Sequence, residues 1–253
     1  MVPLAGPANK QARVAANNLA GGNDAYRGTQ ATAIAKVFDL SVASTGANEK
    51  SLVARGLARG KDYETVLVTQ KSHADYYPGA VGMTIKLLFA ADGQRLFGAQ
   101  IVGGDGVDKR IDTLAVAIRL GASVNDLTEL ELAYAPPYSS AKDPVNMVGF
   151  VAQNVVRGLV RFAPWDPSKL GPDVQRVDVR EPHEVAAWAV PQAKHIALGQ
   201  LRERLGELQK DKTTVVYCAA GVRAYNASRI LAQHGYKDVL IYPGGAGFLR
   251  LMG

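Results

Sequence analysis

One stretch of the chain dictates local geometry more tightly than any other. Thr213-Thr214-Val215-Val216-Tyr217 is an apolar, β-branched run that ends on Cys218, the only cysteine in the 253-residue sequence. The small residues Ala219, Ala220 and Gly221 follow, and Val222 and Arg223 open a segment with helical spacing to about Gln233. The pattern predicts a strand, a tight loop and a helix start. A lone cysteine is ordinarily a small buried hydrophobe. Here it would stand before the unpaired N–H groups and positive end of a helix, with Arg223 adding a full charge, and both favour a thiolate. Gly221 lets the backbone fold over the sulfur, and the alanines keep the rim small.

Cys218-Ala219-Ala220-Gly221-Val222-Arg223 resembles the active-site loop of single-domain rhodaneses, the sulfurtransferases that work through a cysteine persulfide. Val177-Asp178-Val179-Arg180-Glu181 is similar to that family's first core strand and turn, and Tyr236-Lys237-Asp238-Val239 through Gly244-Gly245 to its last strand and glycine turn. Four residues separate Cys218 from Arg223, the rhodanese spacing. Related phosphatases use a loop one residue longer, so phosphoryl transfer stands as the second chemistry for this loop. The resemblance implies that Cys218 takes the sulfur, that the loop 219–222 and Arg223 hold its charge, and that Asp178 and Arg180 support the loop. Two departures appear. Trp188-Ala189-Val190-Pro191-Gln192-Ala193 stands where the family has a Gly-His-Ile-Pro segment, and residues 246–253 replace a tryptophan-containing end.

A second resemblance covers the rest. Pro3-Leu4-Ala5-Gly6-Pro7-Ala8-Asn9-Lys10-Gln11, Tyr76-Tyr77-Pro78-Gly79-Ala80, Gly106-Val107-Asp108-Lys109-Arg110-Ile111-Asp112 and Tyr134 through Asn146 are similar to coenzyme A disulfide reductases and their rhodanese-fused persulfide-reductase relatives. It implies a remnant of a flavin domain over residues 1–31, a pyridine nucleotide-disulfide oxidoreductase dimerisation domain over 32–163, a linker over 164–172 and a rhodanese-like domain over 173–253. The expected fold is α/β: an α+β dimerisation domain followed by a doubly wound parallel α/β domain. FAD, NAD(P)H and coenzyme A are implied for the full-length enzymes and no cofactor for this chain alone, since no Gly-x-Gly-x-x-Gly turn follows a strand. A homodimer is implied, with Tyr76, Tyr77, Tyr134 and Tyr138 reaching across it to the partner's redox site. Thiosulfate, polysulfide and coenzyme A persulfide are the expected donors and thiols the acceptors. Lys109 and Arg110, at a helix start, are candidate phosphate contacts.

Periodicity gives the finer expectations: a strand over 32–42, a short helix over 49–58, strands over 65–70, 84–89 and 95–102 with Asp92-Gly93 as a hairpin turn, and helices over 107–120 and 145–160. The second domain should read strand 175–179, helix 182–189, a strand near His195, helix 201–208, the cysteine strand and its helix, and strand 239–242. Three prolines in the nine residues 164–172 make a stiff linker.

Composition narrows the classes. At 47% apolar residues the chain can bury two modest cores. The net charge of +6 is scattered among acids, without basic blocks or interleaved aromatics, which argues against nucleic acid and suits attraction of anionic donors. No run of about eighteen apolar residues and no cysteine pair occurs, so a cytoplasmic setting without membrane insertion is expected. His73, His183, His195 and His234 share no spacing, so no metal site is expected. Sulfur transfer through Cys218 is the leading reading. The alternative is a non-catalytic dimerisation or interaction protein with a decayed rhodanese module.

Overall fold

The computed structural model describes residues 2–252. Met1 and Gly253, the ends of the expected N-terminal loop and altered C-terminal segment, lie outside the described residues.

The first domain carries strands β1 (Ala33–Val37), β2 (Leu40–Gly46), β3 (Tyr63–Lys71), β4 (Gly82–Ala90) and β5 (Leu96–Gly103), paired antiparallel in the order β1-β2-β5-β4-β3. Its helices are α1 (Ala5–Leu19), α2 (Glu49–Ala54), α3 (Val107–Leu120), α4 (Val124–Glu129) and α5 (Pro144–Val156). Alternation along β4 sends Met83, Ile85, Leu87 and Phe89 to one face, where they meet Ile111 and Leu114 of α3 and Val145 and Val148 of α5 in a single core. α2 caps a corner of the other face with Leu52 against Tyr63 and Leu88. Helical cover is therefore not confined to one side of the sheet.

Three local expectations change. The strand expected over 32–42 is a hairpin: Val37 pairs with Leu40, and the turn between them puts Phe38 at φ 51°. No glycine or asparagine marks that turn, so the sequence carries no signal for it. α4 was not expected, although Ser123 and Asp126 cap its start reciprocally, a pattern visible in the sequence. The helix expected over 201–208 is instead two 3-10 turns, Leu198–Gln200 and Leu205–Glu207, around buried Leu201 and Leu208. Gly206 within the segment disfavours a continuous helix.

The second domain holds β6 (Gln175–Asp178), β7 (Ala193–His195), β8 (Thr214–Tyr217) and β9 (Val239–Ile241), all parallel in the order β7-β6-β8-β9, with α6 (Pro182–Ala187), α7 (Val222–Gln233) and α8 (Gly245–Met252). Separate apolar clusters occupy its two faces, one with Val177, Val216 and Leu231, the other with Val215, Tyr217 and Tyr242. This is the doubly covered arrangement that buried parallel strands require.

The connection is held at both ends. Phe162 bridges to Ile241 in parallel, Ile241 N–H donates to the Arg161 carbonyl and Ala163 N–H to the Ile241 carbonyl, both at 2.9 Å. The second sheet thus recruits residues 161–163, ahead of the proline-rich stretch. Tyr242 donates its hydroxyl to the Trp165 carbonyl at 2.7 Å, and burial pushes that phenol's pKa up to about 12, so it stays a donor. Arg229 of α7 donates to the Leu159 carbonyl at 2.7 Å, and the Lys86 ammonium lies 5.8 Å from the centre of the Trp165 ring.

Candidate active site

β8 delivers Cys218 to the C-terminal end of the parallel sheet, and the chain turns at once into α7. Cys218 is buried at 1% exposure, while Ala219, Ala220 and Val222 form an exposed rim above it. Gly221, at φ 137°, donates its N–H to Sγ at 3.0 Å. The sulfur therefore faces a backbone donor at the head of a twelve-residue helix, where the helix dipole favours negative charge. α8 closes the loop from beneath: Ala246 N–H donates to the Cys218 carbonyl at 2.8 Å. A side chain at Gly245 (φ +71°) would run into the Cys218 and Ala219 carbonyls, so this glycine is required by the loop it touches.

Arg223 is not a free cation. Its guanidinium makes a two-pronged pair with Glu184 of α6, Nη1 donating to Oε2 at 2.5 Å and Nη2 to Oε1 at 2.8 Å. Glu184 also accepts the Glu181 N–H at 2.9 Å. The Arg223 hydrogen bonds, against the opposing effect of burial, hold the Glu184 carboxyl down at about 2. Arg223 is raised in turn, first by Glu184 and to a smaller extent by negative charge at Cys218 and Glu181. A depressed carboxyl stabilises the fold above the ordinary glutamate range, and that contribution fades as pH falls toward about 2, so the pair is closed at neutral pH. The sequence reading missed Glu184; its signal was a proline-led helix start with Glu at the third helical position. Glu184→Gln would release the guanidinium. Sulfur loading of Cys218 from the thiosulfate dianion is then expected to rise about threefold to fivefold, the scale of one partly exposed ion pair. A fall in that rate would mean that Glu184 serves to hold Arg223 in place.

Asp178 and Arg180 sit beside the loop's base. Asp178 is in register with Tyr217, and Val179 N–H donates to the Tyr217 carbonyl at 2.9 Å. Arg180 reaches both Asp178 oxygens, with Nη2 to Oδ2 at 2.6 Å, and donates to the Trp188 carbonyl at 2.7 Å. His195 Nε2 bonds the Arg180 carbonyl at 2.8 Å. The pair ties β6, β7 and the segment that departs from the family pattern to the end of β8.

The tyrosines lie in the first domain. Tyr76 and Tyr134 are brought together, with hydroxyls 3.3 Å apart, and that bond raises the Tyr76 phenol above its ordinary range. Tyr77 packs edge-on to His73, and Tyr138 is exposed. No hydrogen bond joins any of the four to the cysteine loop among the described residues. Lys109 reaches the Ala133 carbonyl at 3.4 Å. Arg110 is a correction: it is 1% exposed, paired with Asp143 at 2.9 Å, and bonded to the Ser72 and Gly106 carbonyls and the Ser139 hydroxyl. Its guanidinium has no face left for a phosphate. It fastens the loops that carry the tyrosines.

Comparison with known proteins agrees with this division. Residues 32–144 match the pyridine nucleotide-disulphide oxidoreductase dimerisation domain and residues 168–246 the rhodanese-like domain. The chain joins an oxidoreductase dimerisation domain to a rhodanese-like domain. A Bacillus anthracis structure, reduced CoADR-RHD, is 46% identical over 98% of this chain and 44% of its own, with a TM-score of 0.89. The NAD-dependent persulfide reductase of A. fulgidus is 41% identical over 98% of this chain and 44% of its own, with a TM-score of 0.86. The coenzyme A disulfide reductase of Staphylococcus epidermidis is 41% identical over 60% of this chain, which spans 34% of that protein's length.

α1 buries none of its side chains and borders an open groove of about 760 Å³ lined by Gly6, Lys10, Tyr26 and Arg27. Among the described residues no cluster of His, Cys, Asp and Glu could hold a metal, and no helix is long and apolar enough to cross a membrane.

Proposed function

We propose that the chain transfers sulfane sulfur through a persulfide on Cys218, as the sulfur-handling portion of a longer reductase of the coenzyme A disulfide or persulfide type. The observation that carries this reading is the Gly221 N–H bond to Sγ at the head of α7. The thiolate attacks the outer sulfur of a donor R–S–SH; the Sγ–S bond forms, the R–S to S bond breaks, and its electron pair leaves as RS⁻, which takes a proton from water. The amides of the loop 219–222 offset charge on the terminal sulfur, and Arg223 adds what Glu184 leaves uncompensated. An acceptor thiol or cyanide then removes the sulfur. The dimerisation domain supplies a homodimer, and FAD, NAD(P)H and coenzyme A belong to the longer protein.

The 1% exposure of Cys218 favours a second reading, a dimerising protein whose rhodanese module no longer reacts. Thiocyanate formation from polysulfide and cyanide separates the two. Turnover by the wild-type chain well above that of Cys218→Ala supports sulfur transfer; equal rates support the inert module.

A further inference from the structure

The two domains enclose a cleft that ends on the sulfur loop. Leu67 of β3, Phe150 of α5, Phe162 and Tyr225 of α7 wall it, and Ala220, Gly221 and Val222 form its end. Its volume is about 170 Å³, and among the described residues no Lys, Arg, His, Asp or Glu lines it. Cys218 itself is buried and does not line the cleft, but Gly221, which borders it, donates its N–H to Sγ at 3.0 Å, so one loop residue separates the cleft from the reacting atom. An independent feature points the same way. Arg223, the loop's cation, is already paired with Glu184, so the cradle offers little uncompensated charge to a dianion.

We propose that this cleft is the subsite for the non-sulfur arm of the sulfane donor, and that the arm is a short uncharged aliphatic chain. The inference rests on the sulfur-transfer reading of Cys218 and adds its specificity: a singly charged, alkyl-bearing donor is preferred to thiosulfate. At roughly 30 Å³ for each water-sized group, the cleft takes a chain of about five heavy atoms. The walls are mostly apolar, with Gln70 and Asn154 as their amide side chains, and the apolar part favours each buried methylene by a constant free-energy increment, which appears as a constant factor in rate per carbon.

Alkanethiosulfonates, R–SO2–S⁻, test this directly. The Cys218 thiolate attacks the outer sulfur, the Sγ–S bond forms, the S–SO2 bond breaks, and the electron pair leaves on the sulfinate R–SO2⁻. The cysteine is oxidised to the persulfide level while the thiosulfonate is reduced to sulfinate, with no other oxidant. The second-order rate of single-sulfur addition to the purified chain is measured by intact mass for the methane to pentane donors and for thiosulfate. The rate is expected to rise about threefold to fourfold per methylene through butane, and the butane donor to outrun thiosulfate. In Phe150→Asn and Phe162→Asn, each of which replaces an apolar wall with an amide, the ratio of butane to methane rates should fall to under about fivefold. Equal rates along the series, or a slope that survives both variants, would overturn the subsite while leaving sulfur transfer standing. Failure of every donor to load Cys218 would overturn the sulfur-transfer reading and the subsite with it.

Discussion

Cys218→Ala is expected to lower sulfur transfer to cyanide or thiols by a factor of about 10³ or more, to the rate of the reaction without protein. The size follows from the kind of catalysis. A covalent carrier cannot be replaced by its surroundings: the Gly221 amide and Arg223 act on charge carried by Sγ or by the sulfur bonded to it, and both are lost with the cysteine. The substitution removes one small buried atom from a cluster of aliphatic neighbours, so stability should fall by only about 1 kcal/mol or less. Melting temperature measured beside turnover distinguishes the two effects. Residual turnover within tenfold of wild type, in a folded variant, would place the chemistry elsewhere.

The second large effect lies in the first domain. Arg110→Met leaves Asp143 buried, 3% exposed, without its cation. In the intact protein burial pushes the Asp143 carboxyl up, but hydrogen bonds from Arg110, Ser139 and the Val145 N–H outweigh it, and the net pKa is lowered. Removing the arginine reverses that balance. Breaking a buried pair costs about 3–5 kcal/mol, so the first domain should melt roughly 10–20 °C lower at neutral pH. The sign of the pH dependence follows from the lowered carboxyl. Its contribution is present above the ordinary aspartate range and lost as pH falls through the folded pKa, whereas the variant carboxyl protonates more readily. The gap between the two proteins should therefore narrow toward acid. A gap below about 1 kcal/mol at neutral pH, followed by denaturant unfolding, would show that Arg110 does not fasten these loops.

These two sites also show what a sequence can and cannot reveal. The cysteine loop was legible because everything that defines it is local: a β-branched run, small residues, a glycine and a helix start lie within eleven residues, 213–223. Arg110 reads from the sequence as a candidate phosphate contact, although its position carries a warning. It falls three residues after Val107 and four before Leu114, on the buried stripe of α3. A charge at that spacing must find a buried partner, and the partner, Asp143, is 33 residues away. Glu184 escaped for the same reason: its pairing with Arg223 joins α6 to α7 across 39 residues and exists only after the sheet has formed. The hairpin at Phe38 was hard to read because the residue at positive φ is a phenylalanine, not one suited to that conformation. The cleft between the domains could not be read at all, since its walls come from β3, α5, the connection and α7.

Intact mass of the purified chain, before and after exposure to polysulfide and again after dithiothreitol, shows whether Cys218 carries a persulfide. The expected result is a gain of one sulfur atom, about 32 Da, that reverses with dithiothreitol and is absent in Cys218→Ala. No gain in the wild-type chain with any donor, or the same gain in Cys218→Ala, would contradict it.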